Sequence, residues 1–402
     1  MSTNVYERFR SNFFFGESVK SKIILVFLAY SFLILTLGVP LFLIQRLLSP
    51  FILLRVGIFP TNYLGHMIYE YEKYLRVENR SIGKFSIDIF CTQPNIANQF
   101  LNSKIRKKLI FWPRALVVPV FYINRVFRSK YFIMRMGRNF ELAGAADFFT
   151  LPAIFHFTDE ELKSGEDLLH DIGHRKNMEI ITLFLRSQRY RSQHLASKFA
   201  VSTDFRDVLP KNYQPLITQL NQFSFTRVLG LEPEIFSPLT LSQYETELAN
   251  FYLVYRSRLC ITTDSGSSLI PFLLRTPTLQ TNITLTALLL GIPGDFVMPL
   301  TYIDLLTHSK IPLSELIEKG YFQLTQKNEF ESKNIGTIQA TEAELSALSH
   351  EISEILQGSW KPSELNDSIH NLIYLKYGTD FPNLKYSRFL NSWVQNNLWF
   401  FE

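Results

Sequence analysis

Short apolar runs alternate with amphipathic stretches along the first half of the chain. Runs at 51–59, 85–90 and 109–112 are typical of buried strands in a parallel sheet. The stretches at 66–75 and 116–127 repeat their apolar residues with the spacing of a helix. Strands that alternate with helices in this way predict an α/β domain built on a parallel sheet.

The same alternation begins again after residue 178. Four apolar runs predict strands at 179–185, 225–229, 259–262 and 277–280. Three further stretches predict helices at 213–223, 245–255 and 269–274. The polar segment 159–177, which contains Gly165 and Gly173, is expected to be a hinge. The fold class that follows is α/β, with two Rossmann-like, doubly wound domains.

The N-terminal part of the chain carries a long apolar segment, because residues 23–44 include no charged side chain. A helix over this segment would be about 33 Å long, against about 30 Å for the hydrocarbon core of a bilayer. Gly38 and Pro40 interrupt it. A segment that enters and leaves the same face of a membrane, or lies along that face, is therefore favoured over a single span. A helix buried in a protein core is the alternative.

Four parts are expected along the chain. They are a hydrophobic membrane-associated segment at 1–50, a first Rossmann-like domain at 51–175, a second at 176–335 and a helical tail at 336–402. Basic residues flank the hydrophobic segment on both sides, which is compatible with both of its ends lying on the cytoplasmic face of a membrane.

Composition narrows the range of functions. A hydrophobic content of 47% excludes an intrinsically disordered chain. The 41 Lys and Arg against 36 Asp and Glu give a net charge of only +5, so a nucleic-acid partner is not expected. Cys91 and Cys260 lie in no CxxC or Cys/His pattern, which excludes a disulfide scaffold and a zinc module. No Asp-x-Asp triplet occurs, so neither a metal nor a cofactor is expected.

The first candidate site lies where the first apolar run leads into a helix. Arg55 and Gly57 belong to the run, and Gly65 and His66 begin the helical stretch. A strand, a loop ending in glycine and a helix start together make a ligand site at the carboxyl edge of a parallel sheet. Helix starts attract anions, and a histidine is suited to remove a proton near neutral pH. A simple turn with a packed histidine is the alternative.

The second candidate site is a hydroxyl-rich loop between the strand at 259–262 and the helix at 269–274. It consists of Thr263, Asp264, Ser265, Gly266, Ser267 and Ser268. Its hydroxyls and backbone amides are suited to hold a diphosphate. The loop has neither the Gly-Lys-Ser/Thr of a Walker A loop nor the order of a nucleophile elbow. An N-capped helix without a ligand is the alternative.

Two arginines are expected at the carboxyl edge of the second sheet. Arg186 follows the strand at 179–185, and Arg227 is placed at the end of the strand at 225–229. A guanidinium group donates paired hydrogen bonds to phosphate oxygens, so both residues are candidates to bind an anionic ligand. A surface ion pair is the alternative for each.

Short motifs between Arg55 and Asn282 match those of a known family in order and approximate spacing. They are Arg55-x-Gly57 with Gly65-His66, Glu70 and Tyr74-Leu75; Leu185-Arg186 with Tyr190; Phe205-Arg206-Asp207 with Tyr213 and Pro215; Arg227-Val-Leu-Gly230; and Thr263-Asp264-Ser265-Gly266-Ser267 with Pro271, Pro277 and Thr281-Asn282. In these residues the chain resembles a bacterial family of glycosyltransferases encoded with surface-polysaccharide genes. The resemblance implies a GT-B-like fold, in which two Rossmann domains follow a hydrophobic N-terminal segment.

The expected function is that of a metal-independent glycosyltransferase at the cytoplasmic face of a bacterial inner membrane. It would move a sugar from a nucleotide-sugar donor to a surface polysaccharide or a lipid-linked glycan. The donor would be bound by Arg186, Arg227 and the loop at 263–268. His66 would be the catalytic base, beside the acceptor or loop residues Arg55, Gly57, Gly65 and Glu70.

Two alternatives remain open. Another transferase, for example one acting on a pyruvyl or sugar-phosphate group, would share the same fold, since one fold supports many reactions. A non-catalytic, membrane-tethered scaffold of a polysaccharide-assembly complex is the second alternative. It is suggested by Phe184 and Ser187, which stand where the family pattern has His and Asp.

Overall fold

The computed structural model describes residues 32, 34–76, 85–127, 151–186, 204–229, 243–290 and 294–402. The chain divides into two compact units, which are described separately. Unit one contains residues 1–62, 77–96 and 101–136, and unit two contains residues 63–76, 97–100 and 137–402. The units interleave along the chain.

Eleven strands lie in the described residues. They are β1 (Leu53–Phe59), β2 (Ser86–Thr92), β3 (Ile110–Phe111), β4 (Ile180–Phe184), β5 (Phe225–Leu229), β6 (Ser257–Thr262), β7 (Thr278–Ile283), β8 (Phe296–Pro299), β9 (Thr301–Asp304), β10 (Ile335–Ile338) and β11 (Arg388–Phe389). The predicted runs in both halves of the chain correspond to β1–β7.

Fourteen α-helices accompany these strands in the same residues. They are α1 (Val39–Leu48), α2 (Leu64–Arg76), α3 (Gln99–Lys108), α4 (Arg114–Val126), α5 (Asp159–Asp171), α6 (Gln214–Leu220), α7 (Gln243–Arg256), α8 (Leu269–Leu274), α9 (Leu285–Leu290), α10 (Leu313–Glu318), α11 (Lys327–Ser332), α12 (Glu342–Gln357), α13 (Glu364–Tyr377) and α14 (Asn391–Asn396). With the strands they confirm the mixed α/β class with parallel sheets.

Unit one is built on a parallel sheet in the order β1-β2-β3. The pairing of β1 with β2 runs from Leu53 opposite Ser86 to Phe59 opposite Thr92. Helix α4 buries one row of apolar residues, including Val117, in one cluster with the strand residues Val56 and Ile89. Unit one therefore has a parallel sheet with a helix packed on it, as the alternation of strands and helices in its sequence predicts.

Unit two is built on a parallel six-stranded sheet in the order β11-β8-β7-β6-β4-β5. Every residue of β4 is buried, as its continuous apolar sequence predicts for a central parallel strand. The chain passes from β4 to β5 on one side and then to β6 on the other. The direction of strand order therefore reverses between β4 and β6, as in doubly wound sheets.

The C-terminal residues belong to the body of unit two. The expected helical tail contains α12, α13 and α14, but it also supplies β11, which pairs with β8 at the edge of the sheet. Phe389, Trp393 and Phe400 from this region are buried in the same hydrophobic core as Leu183 and Ile261 of the central strands. The last residues therefore complete the core instead of extending from it.

The hinge expected at 159–177 is wrong, because most of this segment is the helix α5. The Thr158 hydroxyl accepts a hydrogen bond from the backbone N–H of Glu161, and the Glu161 carboxylate accepts one from the backbone N–H of Thr158. A complete capping box therefore begins the helix. Gly165 lies against the ring of Tyr252, where a side chain would collide with the ring. This glycine therefore permits close packing and does not mark a flexible joint.

Much of the hydrophobic N-terminal segment lies outside the described residues, namely 23–31 and 33. Its remainder forms a π-helical turn, Ile34–Gly38, followed by α1. Within the described part of the chain, no helix has the length and apolar character needed to cross a bilayer.

Candidate functional site

The candidate site lies at the carboxyl ends of β4 and β6, where the strand order reverses. Arg186 follows β4 and Thr263 follows β6, and the backbone N–H of Arg186 donates to Thr263 Oγ1 over 2.8 Å. The N–H of Thr263 in turn donates to the carbonyl of Phe184 over 3.1 Å. Ligands of open α/β sheets bind at such reversal points. The tertiary fold thus brings together Arg186 and the hydroxyl-rich loop.

Arg186 is buried and holds neighbouring loops together. Its Nε donates to Asp207 Oδ1 over 3.1 Å, and its Nη1 donates to the carbonyl of Asp264 over 3.5 Å. Burial, together with the nearby charge of Arg206, lowers the pKa of Arg186, while Asp264 and Asp207 act in the opposite direction. An arginine nevertheless stays protonated in proteins. Arg186 therefore supplies a fixed positive charge beneath the loop.

Arg206 adds a second guanidinium to the same place. Its Nη1 lies 3.4 Å from Asp264 Oδ1, and its side chain is about a quarter exposed, at 25%. Its Nε is buried and has no hydrogen-bond partner among the described residues. Sequence reasoning did not select Arg206 as a site residue, although it stands in one of the quoted motifs. Its position beside Asp264, in the connection between β4 and β5, became apparent only in the folded chain.

Asp264 anchors the loop to the next strand connection. Its Oδ2 accepts a hydrogen bond of 2.6 Å from Thr284 Oγ1, and the backbone N–H of Thr284 lies 3.4 Å from the same oxygen. Its other oxygen faces Arg206. With these partners the Asp264 carboxylate holds both the loop and the Arg206 guanidinium in place.

The loop itself is a single 3-10 turn over Gly266–Ser268, which precedes α8. The hydroxyl groups of Ser265 and Ser267 lie 2.8 Å apart, and Ser268 Oγ donates to the Ser265 carbonyl over 2.6 Å. The three serines are half-buried and Gly266 is exposed. The turn is therefore partly open to solvent, while its serine hydroxyls are hydrogen-bonded within the loop.

Helix α2 begins against this turn. A Cβ on Gly65 would lie 3.0 Å from the Cα of Gly266, and a Cβ on Gly266 would lie 2.9 Å from the backbone nitrogen of Gly65. Neither position has room for a side chain without movement of backbone. The start of α2, which includes His66, therefore lies beside the turn that follows β6.

His66 is half-buried near the start of α2, and its ring centroid lies 5.6 Å from that of Tyr63. Burial lowers the pKa of the His66 imidazole below its ordinary value of 6.5. At neutral pH the ring is therefore mostly uncharged and able to accept a proton. This protonation state is the one that a general base requires.

Helix α2 carries two buried acidic residues. Glu70 is buried, and the side chain of Glu72 is fully buried. Glu72 pairs with Arg76 on its own helix and, over 3.2 Å, with Arg275 just beyond α8. This buried charge cluster joins the helix that carries His66 to the helix that follows the 3-10 turn.

The remaining predicted arginines have protein partners of their own. Arg227 lies in the middle of β5, opposite Thr182, and its guanidinium donates to the carbonyls of Thr226 and Ile172. Arg55 and Gly57 belong to unit one, where Arg55 forms two hydrogen bonds, of 2.7 and 2.6 Å, with Asp88. These arginines therefore already bind protein carbonyls and a carboxylate.

No group of three or more His, Cys, Asp or Glu side chains in the described residues is arranged to hold a metal ion. Cys91 and Cys260 are both buried free thiols. Burial raises the pKa of Cys91 to about 11 and that of Cys260 to about 12, so both stay protonated at neutral pH. Tyr190, Ser187 and Gly230 of the quoted motifs lie outside the described residues.

No known protein family and no curated protein matches the chain. Among solved structures, the chain is similar to the ADP-heptose LPS heptosyltransferase II of E. coli, at 13% sequence identity and a TM-score of 0.34. The similarity covers 56% of this chain and 84% of that one. A TM-score at this level is too low to carry a conclusion about fold or function.

Proposed function

We propose that the chain is a glycosyltransferase whose nucleotide-sugar donor binds at the carboxyl ends of β4 and β6. The contact between Gly65 and Gly266 is the observation that carries this proposal. It brings the start of the helix that carries His66 against a hydroxyl-rich turn, at the kind of strand-order reversal where ligands bind in doubly wound sheets. A proton acceptor and an anion-binding turn are two parts that transfer from a nucleotide-sugar can use.

The donor's diphosphate would meet the Gly266–Ser268 turn. The serine hydroxyls and the exposed Gly266 backbone offer hydrogen bonds, and Arg206 offers a partly exposed guanidinium. The leaving nucleoside diphosphate gains negative charge as its bond to the sugar breaks, so fixed donors and positive groups stabilise the transition state without a metal. Arg186 and Asp264 act behind this surface, since both are occupied in holding the loops.

His66 would act as the general base. The acceptor hydroxyl oxygen forms a bond with the anomeric carbon of the sugar, and the bond from that carbon to the diphosphate oxygen breaks. The hydroxyl proton passes to the His66 imidazole, and the electron pair leaves with the nucleoside diphosphate. The lowered pKa of His66 keeps the ring ready to receive this proton at neutral pH.

The acceptor would be a lipid-linked glycan or a growing surface polysaccharide at the cytoplasmic face of a bacterial inner membrane. The uncharged segment at 23–44 supports this part of the proposal, because a chain held at a membrane meets lipid-linked substrates there.

Ligand-induced stabilisation tests donor binding. The detergent-purified full chain is heated with a panel of nucleoside diphosphates and nucleotide-sugars, with and without EDTA. A ligand at ~100 Kd that binds only the folded chain adds ~2.7 kcal/mol to its stability. We expect one nucleotide class to stabilise the chain regardless of EDTA.

A pair of arginine variants locates the binding surface. Arg206→Gln should abolish most of the stabilisation, whereas Arg227→Gln should retain it, because Arg227 donates to the carbonyls of Thr226 and Ile172. Equal loss in both variants would contradict the proposed surface. Absence of stabilisation by every ligand in the wild-type chain would contradict donor binding itself.

A non-catalytic scaffold is the second candidate, and the charge balance at the site favours it. Arg186 pairs with Asp207, and Arg206 pairs with Asp264, so these four side chains carry no net charge. Turnover of any nucleotide-sugar by the purified chain excludes a purely structural role.

A further inference from the structure

Unit one exposes an apolar face on α1 and on the end of α4. We call this the apolar face; its residues are Leu43, Ile44, Leu47, Phe51, Val126 and Phe127. Leu47 is 75% exposed, Phe51 78% and Val126 77%. Large apolar side chains exposed to this degree on two contacting helices mark a surface that contacts another apolar phase.

The α1 part of the apolar face, at Leu43, Ile44 and Leu47, lies on the side of the helix away from its contacts with α4. Gln45 Oε1 accepts a hydrogen bond of 2.8 Å from Asn124, and the ring of Phe42 stacks on Phe127 at 5.8 Å. Gly38 allows this close approach, since a Cβ there would lie 2.7 Å from Cβ of Pro119. The exposed leucines therefore follow the outer stripe of an amphipathic helix that is already fixed to the unit on its inner side.

Unit one is also strongly basic in its described residues. In 34–62, 85–96 and 101–127, the acidic side chains are limited to Asp88, which is paired with Arg55. The basic side chains in the same ranges are Arg46, Arg55, Lys104, Arg106, Lys107, Lys108, Arg114 and Arg125. Two of them, Arg46 and Arg125, adjoin Leu47 and Val126 of the apolar face along the chain. Apolar residues combined with basic ones in this way fit a surface that is both apolar and negatively charged.

The chain that precedes the apolar face points to the same partner. The uncharged segment beginning at residue 23 runs without a charged residue into α1, and Arg46 is the first charge after it. We propose that α1 and the end of α4 lie in the headgroup region of an anionic lipid bilayer, with exposed basic side chains of unit one, among them Lys107, Lys108 and Arg125, on the lipid phosphates. This inference deepens the membrane association in the proposed function, but it depends on unit one alone.

Single labelled cysteines test which residues meet the lipid. Cys91 and Cys260 are buried, so an environment-sensitive fluorophore is directed to Leu47→Cys, Val126→Cys or the control Leu375→Cys in the full chain. Leu375 is 84% exposed on α13 of unit two and matches the other two sites in exposure. Each protein is mixed with vesicles of phosphatidylglycerol or of phosphatidylcholine, with and without brominated acyl chains, and without nucleotide.

We expect anionic vesicles to shift the emission of the labels at 47 and 126 to the blue, with quenching by brominated lipid. The label at 375 should change little, and phosphatidylcholine should have a weaker effect at all three sites. Lys107→Ala and Lys108→Ala should each weaken vesicle binding by about fivefold, because a basic residue at an anionic surface contributes about 1 kcal/mol. Lys376→Ala in unit two is the matched control.

Two outcomes would overturn the inference. Labels at 47 and 126 that are already shielded in solution would show that the chain itself, or a second copy, covers the apolar face. A chain that floats with vesicles while these labels stay unquenched would show that other residues bind the lipid. Neither outcome bears on donor binding, which the nucleotide panel measures separately.

Discussion

Gly65 and Gly266 lie against each other with no room for a side chain on either residue. Far apart in the sequence, they join the first turn of α2 to the 3-10 turn beyond β6. Both φ angles are negative, so neither glycine is needed for its backbone conformation. Glycine is needed at both positions because the two backbones approach so closely. This contact brings the start of α2, which carries His66, next to the loop.

The first prediction concerns this contact. Gly266→Ala places a methyl group 2.9 Å from the backbone nitrogen of Gly65, and backbone cannot turn aside as a side chain can. Overpacking of this kind costs about 1–3 kcal/mol. Thermal or urea unfolding should therefore show a decrease of that size in the free energy of unfolding. Ser267→Ala in the same turn adds no atom and should cost less. A neutral effect of Gly266→Ala would contradict the close contact.

The second prediction concerns the buried carboxylate of Glu72. Glu72→Gln leaves Arg76 and Arg275 without their counter-charge, and breaking a buried pair costs about 3–5 kcal/mol. Glu315→Gln is the control, because Glu315 and Lys319 form an exposed pair with the same helical spacing as Glu72 and Arg76. That pair should contribute only about 0.3–0.5 kcal/mol. Similar losses of unfolding free energy in the two variants would contradict this assignment.

The third prediction concerns pH. Since burial lowers the pKa of His66 in the folded chain, the unfolded chain takes up a proton there first as pH falls below 6.5. The wild-type chain should therefore lose stability relative to His66→Gln between pH 6.5 and the lowered pKa, by about 1.4 kcal/mol for each unit of pKa difference. Above pH 7 the difference between the two proteins should be constant. If the wild-type chain instead gains stability relative to His66→Gln as the pH falls, the pKa of His66 is raised in the folded chain and not lowered.

The fourth prediction concerns catalysis. If His66 removes the acceptor proton, His66→Ala should reduce kcat by about 10²–10⁴-fold while leaving donor affinity unchanged. In the wild-type chain, kcat/KM should decline only when pH falls below the lowered pKa of His66, where the ring becomes protonated. Turnover near the wild-type rate in His66→Ala would remove the residue from the mechanism. Tyr63→Phe, which keeps the neighbouring ring, serves as the control.

Regular elements were predictable where the local pattern was strong. The strand at 225–229 and the helix at 269–274 have the predicted boundaries, because apolar runs between polar flanks specify both. The segment 159–177 was misread because α5 buries only Gly165 and Leu169, so polar residues dominate its sequence. Thr158 and Glu161 did carry a capping signal for this helix.

Residues of the candidate site were predictable only in part. Arg186 and the loop at 263–268 each follow a predicted strand, and parallel strands bring their carboxyl ends to one edge. Arg227 was also placed at the end of a predicted strand, but its guanidinium donates to the backbone carbonyls of Thr226 and Ile172. Arg206 lies on a short turn with no periodic pattern, so its place beside Asp264 had no local signal.

The sequence by itself determined the α/β class, the order of most strands and helices, and the hydroxyl-rich loop, since these depend on local periodicity and residue type. Only the tertiary structure decided that β4 and β6 are neighbours, that Gly65 meets Gly266 and that Glu72 is buried between two arginines. Each of these depends on residues distant along the chain. Local propensity acts over a few residues, whereas packing and charge pairing select partners only when the whole sheet has formed.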